Sequence, residues 1–140
     1  LAQGRPMGMY TGMRFQAHVT EEAQEIISWC QEDKQSRGWH EAAEKFDVLW
    51  VSDWVRVGRC NFIPWGYLCY LGGWAGEEEQ YSRLKGASWE VLCSLKNYQD
   101  EIRTFCENIL PHMIESETIV ESRYEESDFS TFYSVKPKGQ

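Results

Sequence analysis

The chain has 140 residues, with 14 basic residues against 22 acidic ones and a formal net charge of −8. A chain of this length suits one domain, which would bury roughly two thirds of the surface of its unfolded form. The 42% of hydrophobic and 14% of aromatic residues exclude a disordered chain. The negative charge disfavours direct binding to nucleic acid or to anionic membranes.

Targeting signals and disulfides are not expected. No run approaches the roughly 18 apolar residues of a membrane helix, and no signal-peptide pattern is present, so we expect a cytoplasmic protein. Residues 1–8 are interpreted as an expression remnant or a disordered N-terminus, and residues 9–140 as one α+β domain. Five cysteines, an odd number without a CxxC pair, are expected to be reduced core residues. They are Cys30, Cys60, Cys69, Cys93 and Cys106.

Hydrophobic periodicity predicts a strand and two helices in the first part of the chain. Apolar and polar residues alternate over Met13–Val19, which is typical of a half-buried strand. Thr20 is expected to cap a helix that has apolar residues at i, i+3, i+4 and i+7 and two glutamates in its first turn. A second helical pattern runs from Trp39 to Trp50. Residues 48–59 are interpreted as a helix that passes into a loop.

The middle of the chain predicts two strands separated by a loop. Phe62–Leu71 is predicted to be a strand that is broken or bulged near Pro64 and Gly66. A loop is expected over Gly72–Gly86. Trp89–Leu95 alternates again and is predicted to be a second central strand.

The last part of the chain predicts a helix followed by strands. Asn97 is expected to be the N-cap of this helix, with Asp100 three residues later in a capping-box-like arrangement. Thr118–Glu125 and Phe129–Val135 are predicted to be two final strands joined by a turn, or one long kinked strand. This order favours an α+β fold: an antiparallel sheet of four or five strands with two or three helices on one face, a ferredoxin-like (split βαβ) variant.

Motifs of common catalytic sites are absent from the sequence. There is no GxGxxG, GxxxxGK[ST] or GxSxG pattern. His40 and Glu44 share a helix face without the second histidine of a zinc protease, and Cys106 and His112 lie on different faces of their helix. We therefore predict no catalytic residue, no metal and no cofactor. An enzyme that uses an unrecognised arrangement stays the third alternative.

Residues 50–75 combine large aromatic side chains with two arginines and one aspartate, a net charge of +1 in an acidic chain. The rings would fill the core, or some would stay exposed, because apolar residues fall on both sides of the segment. Trp, Tyr and Arg dominate binding hot spots, so we predict binding residues here and in the acidic region near the end of the chain. The aromatic-arginine set is Trp54, Arg56, Arg59, Trp65, Tyr67, Tyr70 and Trp74; the acidic set is Glu121, Glu125, Glu126 and Asp128.

Two non-catalytic functions fit these two sets. In the first, the protein docks on a more basic partner protein, with the aromatic-arginine set as anchor and the acidic set for electrostatic steering. In the second, a nucleotide or another small ligand stacks on a tryptophan while Arg56 or Arg59 holds its phosphates. The first function predicts that Trp65→Ala and Arg59→Glu abolish binding and leave the melting temperature nearly unchanged. Mimicry of DNA by the acidic surface is left open.

Four stretches of the chain resemble small proteins that phages and mobile elements encode: "MYTGMRFQAHV", "FIPWGYLCYL", "SWEVLCSLKNYQDEIRTFCENILP" and "ESRYEE". The resemblance implies a protein that acts in the cytoplasm of a bacterial host, as an anti-CRISPR or another anti-defence inhibitor does. It implies a host protein as partner, such as a nucleic-acid-binding defence complex, and no membrane. It assigns no site residue, and it leaves the oligomeric state open, a homodimer included.

Overall fold

The computed structural model describes residues 9–32, 37–65 and 80–139. Within these ranges, five strands form one antiparallel sheet in the order β2-β3-β1-β4-β5. The strands are β1 Thr11–His18, β2 Tyr81–Lys85, β3 Ser88–Leu95, β4 Thr118–Tyr124 and β5 Thr131–Val135. The fold is therefore α+β with an open five-stranded sheet, as the sequence predicts at this level.

Several helices connect the strands of this sheet. The helical segments are α1 Glu21–Gln31, α2 Trp39–Lys45, α3 Leu49–Trp54, α4 Phe62–Trp65 and α5 Glu101–Thr104; the last continues as a π-helical turn, Phe105–Ile109, and a 3₁₀ turn, Leu110–His112. The part of the chain that the structure describes thus contains more helical segments than the two or three expected. None of these helices is long and apolar enough to cross a membrane.

One face of the sheet forms the core with the helices. On β1 the alternate residues Met13, Phe15 and Ala17 are buried, and they belong to the same apolar cluster as the buried residues of every helix. Three tryptophans lie in this cluster with no exposed surface: Trp39, Trp54 and Trp89. The opposite face of β1 carries polar residues that are half-buried or exposed, so no helix of the described residues covers that side of the sheet there.

Local signals locate the first two elements, with the bounds of the strand shifted by one or two residues. The predicted strand at Met13–Val19 corresponds to β1, and the predicted cap of α1 is confirmed, because the Thr20 Oγ1 atom accepts a hydrogen bond from the Ala23 amide at 3.1 Å. The helix-to-loop interpretation of residues 48–59 is confirmed by α3 and the turns that follow it. Both results rest on contacts within a few residues.

The strand predicted at Phe62–Leu71 is wrong over its described part. Residues Phe62–Trp65 form the short α4, which is interrupted at Ile63 (φ −121°, ψ 112°), and the rest of that prediction lies outside the described residues. Pro64 has no amide hydrogen to donate to a sheet, which weakens a strand here. The edge strand beside β3 is β2, which lies in the stretch predicted as the loop Gly72–Gly86.

The start of α5 differs from the prediction in position but uses the predicted side chain. The helix begins at Glu101, after Asp100 in a left-handed conformation (φ 62°). The Asn97 Oδ1 atom nevertheless accepts a hydrogen bond from the Ile102 amide at 2.9 Å. The Glu101 carboxylate in turn accepts one from the Gln99 amide at 3.1 Å. Asn97 therefore caps the helix from four residues before its first turn.

Replacing a core tryptophan should separate buried from exposed positions on one helix. We expect Trp54→Ala to lower the free energy of unfolding by about 3–5 kcal/mol, because it empties a fully buried site. Leu49→Ala, on the same helix with 75% of the side chain exposed, should change it by no more than about 0.5 kcal/mol. Urea denaturation measures both. Equal losses in the two variants would contradict the packing of α3.

Candidate functional site

The two described tryptophans of the predicted aromatic-arginine set differ in burial, and only Trp54 is fully internal. Trp54 has no exposed surface, its indole N–H donates to the Cys60 carbonyl at 3.0 Å, and its ring packs edge-on against Phe105 at 5.2 Å. Trp65 is half-buried and packs on Trp39 with 5.0 Å between ring centres. Trp54 therefore cannot meet a partner without unfolding, and it is a core residue. Tyr67, Tyr70 and Trp74 lie outside the described residues.

The two arginines of that set have different environments. Arg59 contacts the Glu101 carboxylate at 3.5 Å, and this carboxylate is 1% exposed. The Arg59 guanidinium also lies over the ring of Tyr98, 5.4 Å from its centre. Arg56 contacts Asp53 at the same 3.5 Å, but its side chain is 77% exposed. Arg59 thus links α5 to the turn that follows α3, and Arg56 belongs to the surface.

The exposed apolar side chains of the described residues gather elsewhere, on the hairpin that β4 and β5 form. Six large hydrophobic residues are exposed in the described chain, and four of them lie between residues 119 and 132. They are Ile119 (52%), Tyr124 (41%), Phe129 (81%) and Phe132 (62%). Concentrated exposed apolar surface marks interaction sites in soluble proteins, whereas scattered residues do not. We name this surface the β4–β5 hairpin, residues 118–135.

Two of these side chains belong to the face of the sheet that the helices leave open. Glu121 pairs with Phe132 across β4 and β5, and Ile119 pairs with Ser134, so Ile119 and Phe132 are diagonal neighbours on one face. Arg14 of β1 pairs with Glu121 on the other side. A shallow depression of about 320 Å³ lies on this face, and its lining includes Arg14, Ile119, Glu121 and Phe132.

A charged network fixes the centre of this open face. The Arg14 guanidinium donates to the Glu121 carboxylate at 2.7 Å, and the Ser130 hydroxyl donates to the other carboxylate oxygen at 2.7 Å. Burial alone would raise the pKa of Glu121, but the hydrogen bonds from Arg14 and Ser130 outweigh it, with the Arg14 and Arg123 charges acting in the same direction. The pKa of Glu121 is therefore below its usual range, and the carboxylate stays ionised.

Carboxylates are concentrated in the β4–β5 hairpin and in the residues directly before it. Residues 115–128 contain six of them against one arginine. In the connection between the two strands, Glu126 and Asp128 are exposed, Glu125 is half-buried, and Phe129 follows directly. All four residues of the predicted acidic set thus lie on the β4–β5 hairpin. The structure separates them from the aromatic-arginine set in sequence and in secondary structure.

Sequence reasoning missed the exposed apolar residues of the hairpin. Alternation along β4 puts Ile119 on the same side as Glu121 and Arg123, a signal that was present in the sequence. The predicted strand Phe129–Val135 includes Phe129, but the observed β5 begins at Thr131, and Phe129 is 81% exposed in the connection before it. Pairing partners, which no single stretch of sequence reveals, are what bring Phe132 beside Ile119.

The remaining predictions concern metals and thiols. No cluster of three or more His, Cys, Asp or Glu residues in the described ranges could hold a metal ion. Four of the predicted core cysteines, Cys30, Cys60, Cys93 and Cys106, are buried reduced thiols, and the fifth, Cys69, lies outside the described residues. Comparison of the chain with protein-family models, with curated proteins and with solved structures found no match.

The two arginine ion pairs should differ in their contribution to stability although their N–O distances are equal. Arg59→Ala leaves the buried Glu101 carboxylate without its cation, so we expect the free energy of unfolding to fall by about 1–3 kcal/mol. Arg56→Ala removes an exposed pair and should cost no more than about 0.5 kcal/mol. Urea denaturation of the two variants gives both values.

This replaces the expectation that Arg59→Glu leaves folding untouched, because a glutamate at this position would face Glu101. An Arg59→Ala variant as stable as Arg56→Ala would show that the pair to Glu101 does not form in solution.

The lowered pKa of Glu121 makes its contribution to stability depend on pH. A carboxyl whose folded pKa lies below its unfolded value of about 4.3 stabilises the fold above that pH, and the contribution is lost as pH falls through the folded pKa. Glu121→Gln should therefore lower the free energy of unfolding at neutral pH by about 1 kcal/mol or less, because Arg14 is partly exposed. The difference should shrink below about pH 4.3.

Arg14→Gln tests the cause of that pKa. Without the guanidinium, burial should dominate, and the Glu121 titration followed by NMR should move to higher pH. A loss of stability in Glu121→Gln that grows on acidification, or an unchanged titration in Arg14→Gln, would contradict this assignment.

Proposed function

We propose that the protein acts without catalysis, as a binding protein that docks on a basic partner protein through the β4–β5 hairpin. The observation that carries the proposal is the concentration of exposed Ile119, Phe129 and Phe132 on one hairpin among carboxylates. Exposed aromatic residues supply the contact area of binding hot spots. The Arg14–Glu121 pair holds the centre of the face in one geometry before binding, which lowers the entropy lost on association.

The charge of the hairpin argues for a basic partner. Six carboxylates lie in residues 115–128, and the chain as a whole has a net charge of −8. An acidic rim around an apolar patch attracts a basic surface at long range and repels acidic ones. The same charge disfavours direct contact with nucleic acid. A host protein with a basic, nucleic-acid-binding surface has the complementary chemistry.

Two finer assignments, one of biological role and one of fold, extend this proposal. We propose that the protein is a phage-encoded inhibitor of a host defence protein; the resemblance to small phage and mobile-element proteins supports this. We also propose a ferredoxin-like (split βαβ) variant with β5 added at an edge. The strand order β2-β3-β1-β4, with helices between β1 and β2 and between β3 and β4, supports that classification.

The nucleotide-binding alternative has less support. It requires a tryptophan open to a stacking base: Trp54 is buried, Trp65 is half-buried against Trp39, and Trp74, the third candidate, lies outside the described residues. One of the two arginines proposed for phosphate contacts, Arg59, is held by Glu101. The protein-binding function needs no such rearrangement.

Substitutions on the hairpin test the proposed docking surface. The wild-type protein, immobilised, captures proteins from a bacterial lysate, and a captured protein is then purified for affinity measurements. Ile119→Ser and Phe132→Ser should each weaken its binding at least tenfold, about 1.4 kcal/mol, since each removes exposed apolar contact area. Leu49→Ser is the matched control, because it removes an exposed apolar side chain from α3.

Four results would contradict the proposal. The first is binding that weakens equally in Leu49→Ser, and the second is a captured partner that is acidic. The third is an association rate that does not change with salt, because steering by carboxylates makes the association rate fall as the salt concentration rises. A dimer of the protein that dissociates in Phe132→Ser would also overturn it, because the hairpin would then bind a second copy of this chain.

A further inference from the structure

A second surface depression, of about 510 Å³, lies between α2 and the turns that follow α3. Its nine lining residues include the thiol of Cys60, the imidazole of His40 and the guanidinium groups of Arg56 and Arg59. None of the nine carries a carboxylate. It does not involve the β4–β5 hairpin. The proposed docking function makes no use of these groups.

The thiol and the imidazole are paired. The Cys60 Sγ atom and the His40 Nε2 atom are 3.5 Å apart, although the two residues are 20 positions apart in the chain. The thiol also donates to the Val55 carbonyl oxygen at 3.9 Å, and the His40 Nε2 atom accepts its hydrogen in the tautomer that carries the imidazole proton on Nδ1. An imidazole that takes the proton of a thiol converts it into a thiolate, the nucleophilic form.

Cys106 provides an internal comparison. Cys60 and Cys106 are each 3% exposed, so access alone does not distinguish them. Burial and the neighbouring Glu107 carboxylate raise the pKa of Cys106 to about 12. Burial also raises the pKa of Cys60, but hydrogen bonds from the backbone at Asn61 and Cys60 act in the opposite direction. The backbone hydrogen bonds at Cys60 therefore offset part of the effect of burial, whereas a thiolate at Cys106 has an anionic neighbour.

The surroundings of Cys60 are also cationic and conformationally unusual. Arg56 and Arg59 line the depression, and their carboxylate partners, Asp53 and Glu101, do not. Arg59, directly before the cysteine, has a left-handed backbone (φ 62°), which is uncommon for a residue with a long side chain. Such strained positions cluster at functional sites.

We propose that Cys60 is a nucleophilic thiol, activated by His40, that undergoes thiol–disulfide exchange with anionic low-molecular-weight disulfides. His40 Nε2 takes the thiol proton, and the Cys60 sulfur attacks one sulfur of the disulfide. A new S–S bond forms as the old one breaks, and the leaving thiolate receives the proton from the imidazolium. Cys60 is oxidised, the leaving half of the disulfide is reduced, and no further reagent is consumed.

Two disulfides of opposite charge test the proposal on the whole protein. Oxidised glutathione is anionic and cystamine is cationic, and each adduct is located by peptide mass spectrometry. Oxidised glutathione should modify Cys60 at least tenfold faster than it modifies Cys106 in the same protein molecules. His40→Gln should slow the reaction of Cys60 with both reagents at least tenfold, whereas Lys45→Gln, an exposed control on the same helix, should leave both rates unchanged.

Arg56→Ala tests the choice of ligand, because it removes an exposed cation of the depression. It should lower the rate with glutathione several-fold and spare or raise the rate with cystamine. Equal rates at Cys60 and Cys106, or an unchanged rate in a His40→Gln variant that melts like the wild type, would overturn the activation by His40. If His40→Gln fails to fold, the test is the ratio of Cys60 to Cys106 modification in the wild type. A ratio of at least ten supports the activation of Cys60, and equal rates overturn it. A preference for cystamine would overturn the anionic ligand.

Discussion

The burial of three tryptophan rings, each with its indole N–H bonded inside the protein, is the interaction on which the rest of the structure depends. Trp39 donates to the Ile63 carbonyl, Trp54 to the Cys60 carbonyl and Trp89 to the Ser82 hydroxyl. A buried ring that leaves its N–H without a partner is costly, so these bonds fix where the turns around residues 60–63 must lie. The aromatic-rich middle of the chain is thereby committed to the core over its described part.

That commitment determines which surface remains for binding. The helices that carry Trp39 and Trp54 pack on the face of the sheet to which Trp89 of β3 belongs, and the other face stays open at β1, β4 and β5. The second half of β3 is buried on both sides, since Leu92 and Ser94 are buried as well. Apolar residues and carboxylates then meet on the hairpin at the end of the sheet, where the Arg14–Glu121 pair orients them. A rigid scaffold with an exposed apolar patch and a charged rim is the physical basis of specific protein recognition.

Local patterns predicted what depends on neighbours along the chain, and failed where distant contacts decide. The strand at β1 and the cap at Thr20 follow from alternation and from one hydrogen bond within three residues. The strand expected at Phe62–Leu71 gave way to α4 at its start, where Ile63 is fully buried and its carbonyl accepts the Trp39 N–H. Apolar composition alone did not distinguish a buried helical turn from a strand.

The candidate site was predicted in part for the same reason. The acidic set was visible as a run of charges, and all of it lies on the hairpin. The exposure of Phe132 beside Ile119 depends on the register between β4 and β5. Trp54 was assigned to a binding surface because its ring suits one, yet its contacts with Phe105 and the Cys60 carbonyl are internal. The pairing of Cys60 with His40 joins residues 20 positions apart, and no sequence motif predicted this contact.

Hydroxyl-radical footprinting of the folded protein tests the central claim most directly, because it reports the solvent exposure of each aromatic ring. The account predicts rapid oxidation of Phe129 and Phe132 and strong protection of Trp39, Trp54 and Trp89, although indole reacts readily with the radical when it is accessible. Oxidation of Trp54 at the rate found in the denatured chain, with Phe129 and Phe132 protected, would contradict it.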